Sequence, residues 1–316
     1  MSPPPVGAVI FDWGGTLTLF HDIDLLDLWW MAALEISVPH AGYLTRVLAR
    51  VEAEWWRRGE GTGQAGPVTD LLAAASAAVD ADVAEAVLRA GARRDLAAWT
   101  PHTVCDPEAL LLMHLVRARG LQVGLLTNTR WPPSWHERML ARDGLLGLLD
   151  ARVYATDLAV DKPHPSAFQA VLAALGVTDP ARALFVGDRP HSDIAGARAV
   201  GMRTVLLADG ALPSGTSPAA APPAAGPAGA TSPGGAVSAG SVSAGSVSAG
   251  AVSAGAVLAG FAPGDSASAA TASAPWPAPG TGGEGLPGLA RPDAVIHRLG
   301  ELLEVLDLFG APAPGR

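Results

Sequence analysis

Short apolar runs recur along the chain, and the strongest of them end at polar residues. Val6 to Phe11 lies between Pro3-Pro4-Pro5 and Gly14-Gly15. That length and those flanks predict a buried strand rather than a helix. Leu121 to Leu126, Ala183 to Val186 and Thr204 to Leu207 read the same way. Arg152 to Ala155 is a weaker fifth candidate and Ala294 to Ile296 a sixth. The strong runs do not alternate apolar with polar, as expected when helices cover both faces of a parallel sheet.

Between these runs the period changes to that of a helix. Asp106-Pro107 offers an N-cap and a first-position proline, with Leu111, Leu115 and Ala118 predicted on one buried face and Gly120 as the stop. Phe168, Val171, Leu172 and Leu175 keep helical spacing up to Gly176, and Leu299, Leu302, Leu303 and Leu306 repeat it near the C-terminus. The alternation predicts an α/β fold, a doubly wound (Rossmann-like) parallel sheet.

Two regions stand outside that alternation. Residues 20–105 are helix-compatible throughout: Leu25, Leu28, Trp29 and Ala32 share one face, and Val83, Val87 and Ala90 another. This is too long for one crossover helix and predicts a small inserted α-helical cap. Residues 209–291 are mostly Ala, Gly, Ser and Pro, with AVSAG, SVSAG, SVSAG, AVSAG and AVLAG following one another from Ala236 to Gly260. Such a repeat buries too little apolar surface to offset chain entropy, so a disordered linker is expected. The expected organisation is therefore a core of 1–19, 106–208 and 292–310, a cap of 20–105 and a linker of 209–291.

Composition narrows the partners. A net charge of −9 gives no support for binding nucleic acid or an anionic membrane, and no run is long and aliphatic enough to cross a bilayer. A single cysteine, Cys105, excludes an intrachain disulfide, and the N-terminus lacks a basic leader pattern, so a cytoplasmic protein is expected. Oligomeric state stays open.

The candidate chemistry sits where the apolar runs end. Asp12, followed by Trp13-Gly14-Gly15-Thr16, falls where a doubly wound sheet presents its ligand crevice, and the glycines let the backbone approach an anion. Taken alone, Asp12 serves equally well as a turn cap. Thr127-Asn128-Thr129 ends the second run, and Gly187-Asp188 ends another, with Asp193 five residues on. Three converging carboxylates make a hard, oxygen-rich site that suits Mg²⁺. Asp193 could instead complement the dipole of a helix running from Asp193 to Val200. Lys162, in Asp161-Lys162-Pro163-His164-Pro165, is the sole lysine of the chain, a point charge where every other fixed cation is a planar guanidinium.

In this order, FDWGGTLT (Phe11 to Thr18), LLTNT (Leu125 to Thr129), the Lys-Pro of DKPHPSAF (Asp161 to Phe168) and VGDRPHSDIAGARAVGMRTV (Val186 to Val205) resemble the four motifs of the haloacid dehalogenase superfamily, whose members are mostly phosphatases. The resemblance implies a nucleophilic Asp12 that forms an aspartyl-phosphate. It implies Mg²⁺ held by Asp12, the Gly14 carbonyl, Asp188 and Asp193, and oxygens of a small phosphorylated metabolite neutralised by Lys162 and Thr127. Asn128 and Gly15 would add substrate contacts.

One departure bears on catalysis. Phosphatases of the family carry a second Asp two residues after the nucleophile, as general acid and then base, and here Gly14 stands there. Either the leaving group departs unprotonated, or another residue such as His21 or His191 substitutes, or turnover is slow. The alternatives are thus a 2-haloacid-type dehalogenase and a catalytically weak phospho-ligand binding or regulatory protein. Phosphonate cleavage of the family's kind needs a cap lysine, and residues 20–105 contain none. Trp131 and Trp135 after the second motif, with Trp29, Trp30, Trp55, Trp56 and Trp99 in the expected cap, either pack the helices or line a pocket over Asp12.

Overall fold

The computed structural model describes residues 4–19, 25–62, 67–77, 83–158, 160–208 and 290–313. Strand β1 (Ala8–Phe11) leads to four cap helices: α1 (Leu25–Ile36), α2 (Ala41–Thr62), α3 (Val68–Ala77) and α4 (Glu85–Trp99). Then come α5 (Ala109–Ala118), β2 (Gln122–Thr127), α6 (Pro133–Arg142), β3 (Ala151–Tyr154), α7 (Pro165–Ala174) and β4 (Ala183–Gly187). A short α8 (Gly196–Ala199), β5 (Arg203–Leu207), β6 (Ala294–Ile296) and α9 (Leu302–Leu308) complete the order. All six expected strands form, and they pair in parallel in the order β3-β2-β1-β4-β5-β6. The chain is doubly wound: it leaves β1 toward β2 and β3, then returns to the other side of β1 through β4.

Both faces of the sheet are covered, which explains the unalternating strands. Val9, Phe11, Val123, Leu125, Leu184 and Val186 point to the face covered by α5, α6 and α9. Ala8, Ile10, Leu126 and Phe185 point to the face covered by α7, where Phe168, Val171 and Leu172 are buried. Each such large side chain contributes ~1.5–3 kcal/mol through removal from water. The cap helices bury a cluster of their own, with Trp29, Leu44, Leu48, Leu71 and Leu72 at its centre.

Two helical expectations are corrected. In α5 the buried stripe is Ala109, Leu112, Met113 and Val116, whereas Leu111 is 64% exposed, Ala118 is exposed and Leu115 is half-buried. ALLLMHLV carries two competing stripes of helical period. The helix starts at Ala109 with Glu108 at its N-cap, two residues later than Asp106-Pro107 implied, and Asp106 Oδ1 accepts from Glu108 N at 2.7 Å in the turn before it. The helix expected from Asp193 to Val200 is instead a π-helical turn, Pro190–Ala195, that runs into α8. Residues 209–289 of the expected linker lie outside the described residues, as do His21 and the side chains of Trp55 and Trp56. Among the described residues no helix is long and apolar enough to cross a membrane.

Candidate active site

Register brings the motif residues to one edge. Phe11 lies opposite Leu125 of β2 and Val186 of β4, so Asp12, Thr127 and Asp188 emerge together at the C-terminal ends of three adjacent strands. The crevice beside β1 is the topological switch point, where doubly wound sheets bind ligands. Asp12 is fixed by its own N–H, which donates to the Val186 carbonyl at 2.9 Å. The following loop closes on itself: the N–H groups of Leu17 and Thr18 both reach the Trp13 carbonyl at 2.9 Å, and the Thr18 hydroxyl reaches it at 3.0 Å. Gly15, at φ 80°, adopts the left-handed conformation this loop requires. Its N–H donates to Thr18 O at 3.0 Å, closing the loop from within.

Lys162 is the hinge of the charge arrangement. Its Nζ lies 2.9 Å from Asp12 Oδ1 and 2.8 Å from Asp193 Oδ1, and the side chain is 1% exposed. Burial works against the ammonium, but Asp12 and Asp193 outweigh it and hold its pKa above the ordinary lysine value. Asn128 positions this residue: its Oδ1 accepts from Lys162 N at 2.8 Å and its Nδ2 donates to Lys162 O at 2.9 Å. The Asn128 side-chain amide is thus engaged with the lysine backbone.

Asp193 reaches the same point from the π-helical turn, and its Oδ2 accepts from Arg189 N at 3.0 Å. A Cβ on Gly187 would collide with the Asp193 carboxylate, so the glycine of Gly187-Asp188 makes room for the fourth-motif Asp. Asp12, Asp188 and Asp193 are all buried, and each offers an oxygen within 4.8 Å of the others. Burial raises the pKa of both Asp188 and Asp193, more strongly for Asp188; Arg189 opposes the rise at Asp188, and Lys162 opposes it at Asp193. Asp188 Oδ1 is buried without a hydrogen-bond partner, which native proteins rarely tolerate. Three buried carboxylates around one ammonium, one of them with an oxygen lacking a donor, fit a hard divalent cation of the Mg²⁺ kind. Thr127 is 2% exposed at the strand end beside them.

Around Asp12 lies an aromatic cluster. Trp13 meets Trp131, Trp135 and His136 edge-on, at centroid distances of 6.5, 5.7 and 4.7 Å. The Thr129 hydroxyl accepts from Trp131 N at 3.0 Å and is hydrogen-bonded to His136 Nε2 at 2.7 Å. Burial pushes the His136 pKa down to about 3, so the ring is neutral. The cap is tied to this loop by Val68 N donating to Arg130 O at 3.0 Å, and by the indoles of Trp131 and Trp135 donating to Asp95 and Thr100, each at 3.2 Å. The tryptophans after the second motif thus both pack the junction and stand beside the nucleophile.

Sequence reasoning passed over three residues here. Asp161 precedes the conspicuous lysine and is 0% exposed. Asp95 follows Arg93-Arg94 on α4 and is also 0% exposed. His136 carried no motif. For Asp161 alone the signal was available, as a carboxylate beside the lysine.

The comparisons with known proteins agree with this geometry. The sequence pattern of the haloacid dehalogenase-like hydrolases matches residues 6–201. A phosphoserine phosphatase from Thermus thermophilus is 36% identical over 99 residues, covering 31% of this chain and 39% of the relative. A phosphoglycolate phosphatase from Rhodospirillum rubrum is 33% identical over 133 residues, covering 41% of this chain and 54% of the relative. The chain therefore spans about two fifths to one half of these relatives. The fold is that of a 2-haloacid dehalogenase from Pseudomonas syringae, with TM-score 0.54, 20% identity and coverage of 96% and 99% of the two chains. With the four motifs gathered at one sheet edge and the family pattern covering most of the described core, this chain belongs to the haloacid dehalogenase-like hydrolases.

Proposed function

We propose that the protein is a Mg²⁺-dependent phosphatase acting on a small phosphorylated metabolite through an aspartyl-phosphate on Asp12. The observation that carries this reading is the bridge of Lys162 Nζ between Asp12 and Asp193 beside the unpartnered Asp188 oxygen. A haloacid dehalogenase has no need of that acidic set, whereas a phosphoryl group needs cations around it. The names of the phosphoserine and phosphoglycolate phosphatases point to the same substrate class.

In the proposed reaction an Asp12 carboxylate oxygen attacks phosphorus, the bond to the leaving oxygen breaks, and that oxygen takes the electron pair. Lys162 and the Thr127 hydroxyl bind the phosphoryl oxygens. Asp12, Asp188, Asp193 and the Gly14 carbonyl would hold Mg²⁺, which when bound supplies further positive charge to those oxygens. Water then displaces the phosphoryl group and restores the Asp12 carboxylate. Because Gly14 cannot protonate the leaving oxygen, acidic leaving groups depart fastest. His191, half-buried on the turn that carries Asp193, is the described residue best placed to assist.

The test is phosphate release from a panel of phosphate esters and acyl phosphates, with and without Mg²⁺, using Asp12→Asn as the control. Metal-dependent release abolished in the variant is expected. A second reading, the dehalogenase, rests on the halide's indifference to a general acid, and chloride release from 2-chloropropionate without phosphate release from any ester would establish it instead.

A further inference from the structure

The loop after β2 touches both the lysine and the cap, and one of its side chains has no part in the proposed chemistry. Asn128 holds the backbone of Lys162 through its amide. Two residues on, Arg130 is half-buried, and its carbonyl accepts from the N–H of Val68, the first residue of α3, at 3.0 Å. Trp131 follows and ties its indole to Asp95 of α4. The acids acting on the Arg130 guanidinium come from both sides: Glu52 of α2 and Asp70 of α3 from the cap, Asp161 from the lysine loop. Burial lowers the Arg130 pKa to about 10, so at neutral pH the side chain stays charged.

The residue that needs this charge is Asp161. It is 0% exposed, neither carboxylate oxygen makes a hydrogen bond, and it is joined directly to Lys162. Its carbonyl accepts from His164 N at 2.9 Å in the turn that leads into α7, which fixes its backbone beside the lysine. Burial raises its pKa to about 6, and two cations oppose that rise, Arg130 first and Lys162 second. A buried carboxylate beside the ammonium competes for it with Asp12 and Asp193. Here those two prevail, at 2.9 and 2.8 Å from Nζ. Without Arg130, Lys162 would be the one cation left acting on Asp161 among the described residues.

We propose that Arg130 is a positioning residue: by neutralising Asp161 it leaves the Lys162 ammonium to Asp12, Asp193 and the phosphoryl group. The proposal rests on the phosphatase reading and adds a residue outside the four motifs. The same arginine answers to Glu52 and Asp70, and its carbonyl to Val68, so seating of the cap and placement of the lysine depend on one residue.

The experiment measures Mg²⁺-dependent hydrolysis of nitrophenyl phosphate, whose leaving group needs no proton, by the full chain and its variants. Arg130→Met is expected to lower kcat about tenfold or more, as when a group that orients a functional side chain from behind is lost. Arg130→Lys keeps the charge and should retain most of the rate. Adding Asp161→Asn to Arg130→Met removes the competing carboxylate and should restore kcat to within about threefold of the parent. An unchanged rate in Arg130→Met overturns the proposal. So does a loss that Asp161→Asn fails to relieve, since the arginine would then act through the cap alone. If Arg130→Met is insoluble, the double variant decides: soluble, active protein supports the pairing, and a second insoluble protein overturns it. If the parent hydrolyses no ester, the phosphatase reading fails instead. The pairing is then judged by a double-mutant cycle of urea midpoints for Arg130 and Asp161, where additive shifts refute it.

Discussion

Replacing Gly14 with Asp restores the carboxylate that this chain lacks, and the structure says what that costs. A Cβ at Gly14 meets no atom within 4 Å, and Gly14 is not among the glycines with positive φ. The added Cβ therefore meets neither a clash nor backbone strain, and loss of glycine's freedom in the unfolded chain stabilises by ~0.4–1 kcal/mol. Against this, the new carboxylate enters a site that already holds Asp12, Asp188 and Asp193 around Lys162. That crowding raises its pKa and favours the protonated form, which is the form a general acid requires. Positioned proton transfer contributes about 10²–10⁴ in rate, equivalent to ~2.7–5.4 kcal/mol of barrier. The gain is confined to leaving groups that need the proton. Gly14→Asp should thus accelerate Mg²⁺-dependent hydrolysis of alkyl phosphates by a factor in that range, change nitrophenyl phosphate little, and flatten the dependence of rate on leaving-group pKa. Gly14→Ala, which fills the same space without a carboxyl, should do none of this. If Gly14→Asp folds and keeps its aryl rate but leaves alkyl esters unchanged, the missing carboxylate does not limit turnover.

Further outcomes follow from the same geometry. Lys162→Met leaves Asp12 and Asp193 buried without their cation, so it should abolish phosphate release and cost ~3–5 kcal/mol of stability in urea unfolding; a loss below 1 kcal/mol would show that the bridge is not formed in solution. Gly187→Ala pushes the Asp193 carboxylate aside and should weaken Mg²⁺ binding about 10–100-fold by calorimetry, and because Asp193 also pairs with buried Lys162 it should lower the melting temperature without metal as well. His136 is neutral in the fold with its pKa near 3, whereas an unfolded histidine titrates near ~6.5, so its stabilisation is complete above that value and is lost as pH falls toward 3. By pH 4.5 that loss reaches ~2.7 kcal/mol, and a urea series in which His136→Gln is as acid-sensitive as the parent would refute the assignment.

The strands and their parallel pairing were legible because helices cover both faces and leave continuous apolar runs, as in Val6 to Phe11. The four motif residues were legible because strand ends in such a sheet converge. What stayed hidden depends on phase and tertiary placement. The α5 sequence holds two stripes of equal period, and which of them faces the sheet is set by tertiary packing rather than by the spacing itself. Asn128 was legible as a strand-end residue, but not that its side-chain amide matches both backbone groups of Lys162, 34 residues away. Asp95 was illegible because its burial depends on groups from other elements packed on α4, the Trp131 indole among them.

The central place of β1 has a consequence for how the protein is made. Asp12 takes its orientation from Val186, 174 residues downstream, and Phe11 pairs with both Leu125 and Val186. At ribosomal speeds of about 5–20 residues per second, roughly 9–35 s separate synthesis of the nucleophile from synthesis of the strand that anchors it. During that interval the apolar segment Ala8–Phe11 has no complete sheet to enter. Long-range parallel pairing of this kind folds slowly. The residue proposed to do the chemistry thus leaves the ribosome well before the strand that holds it in place.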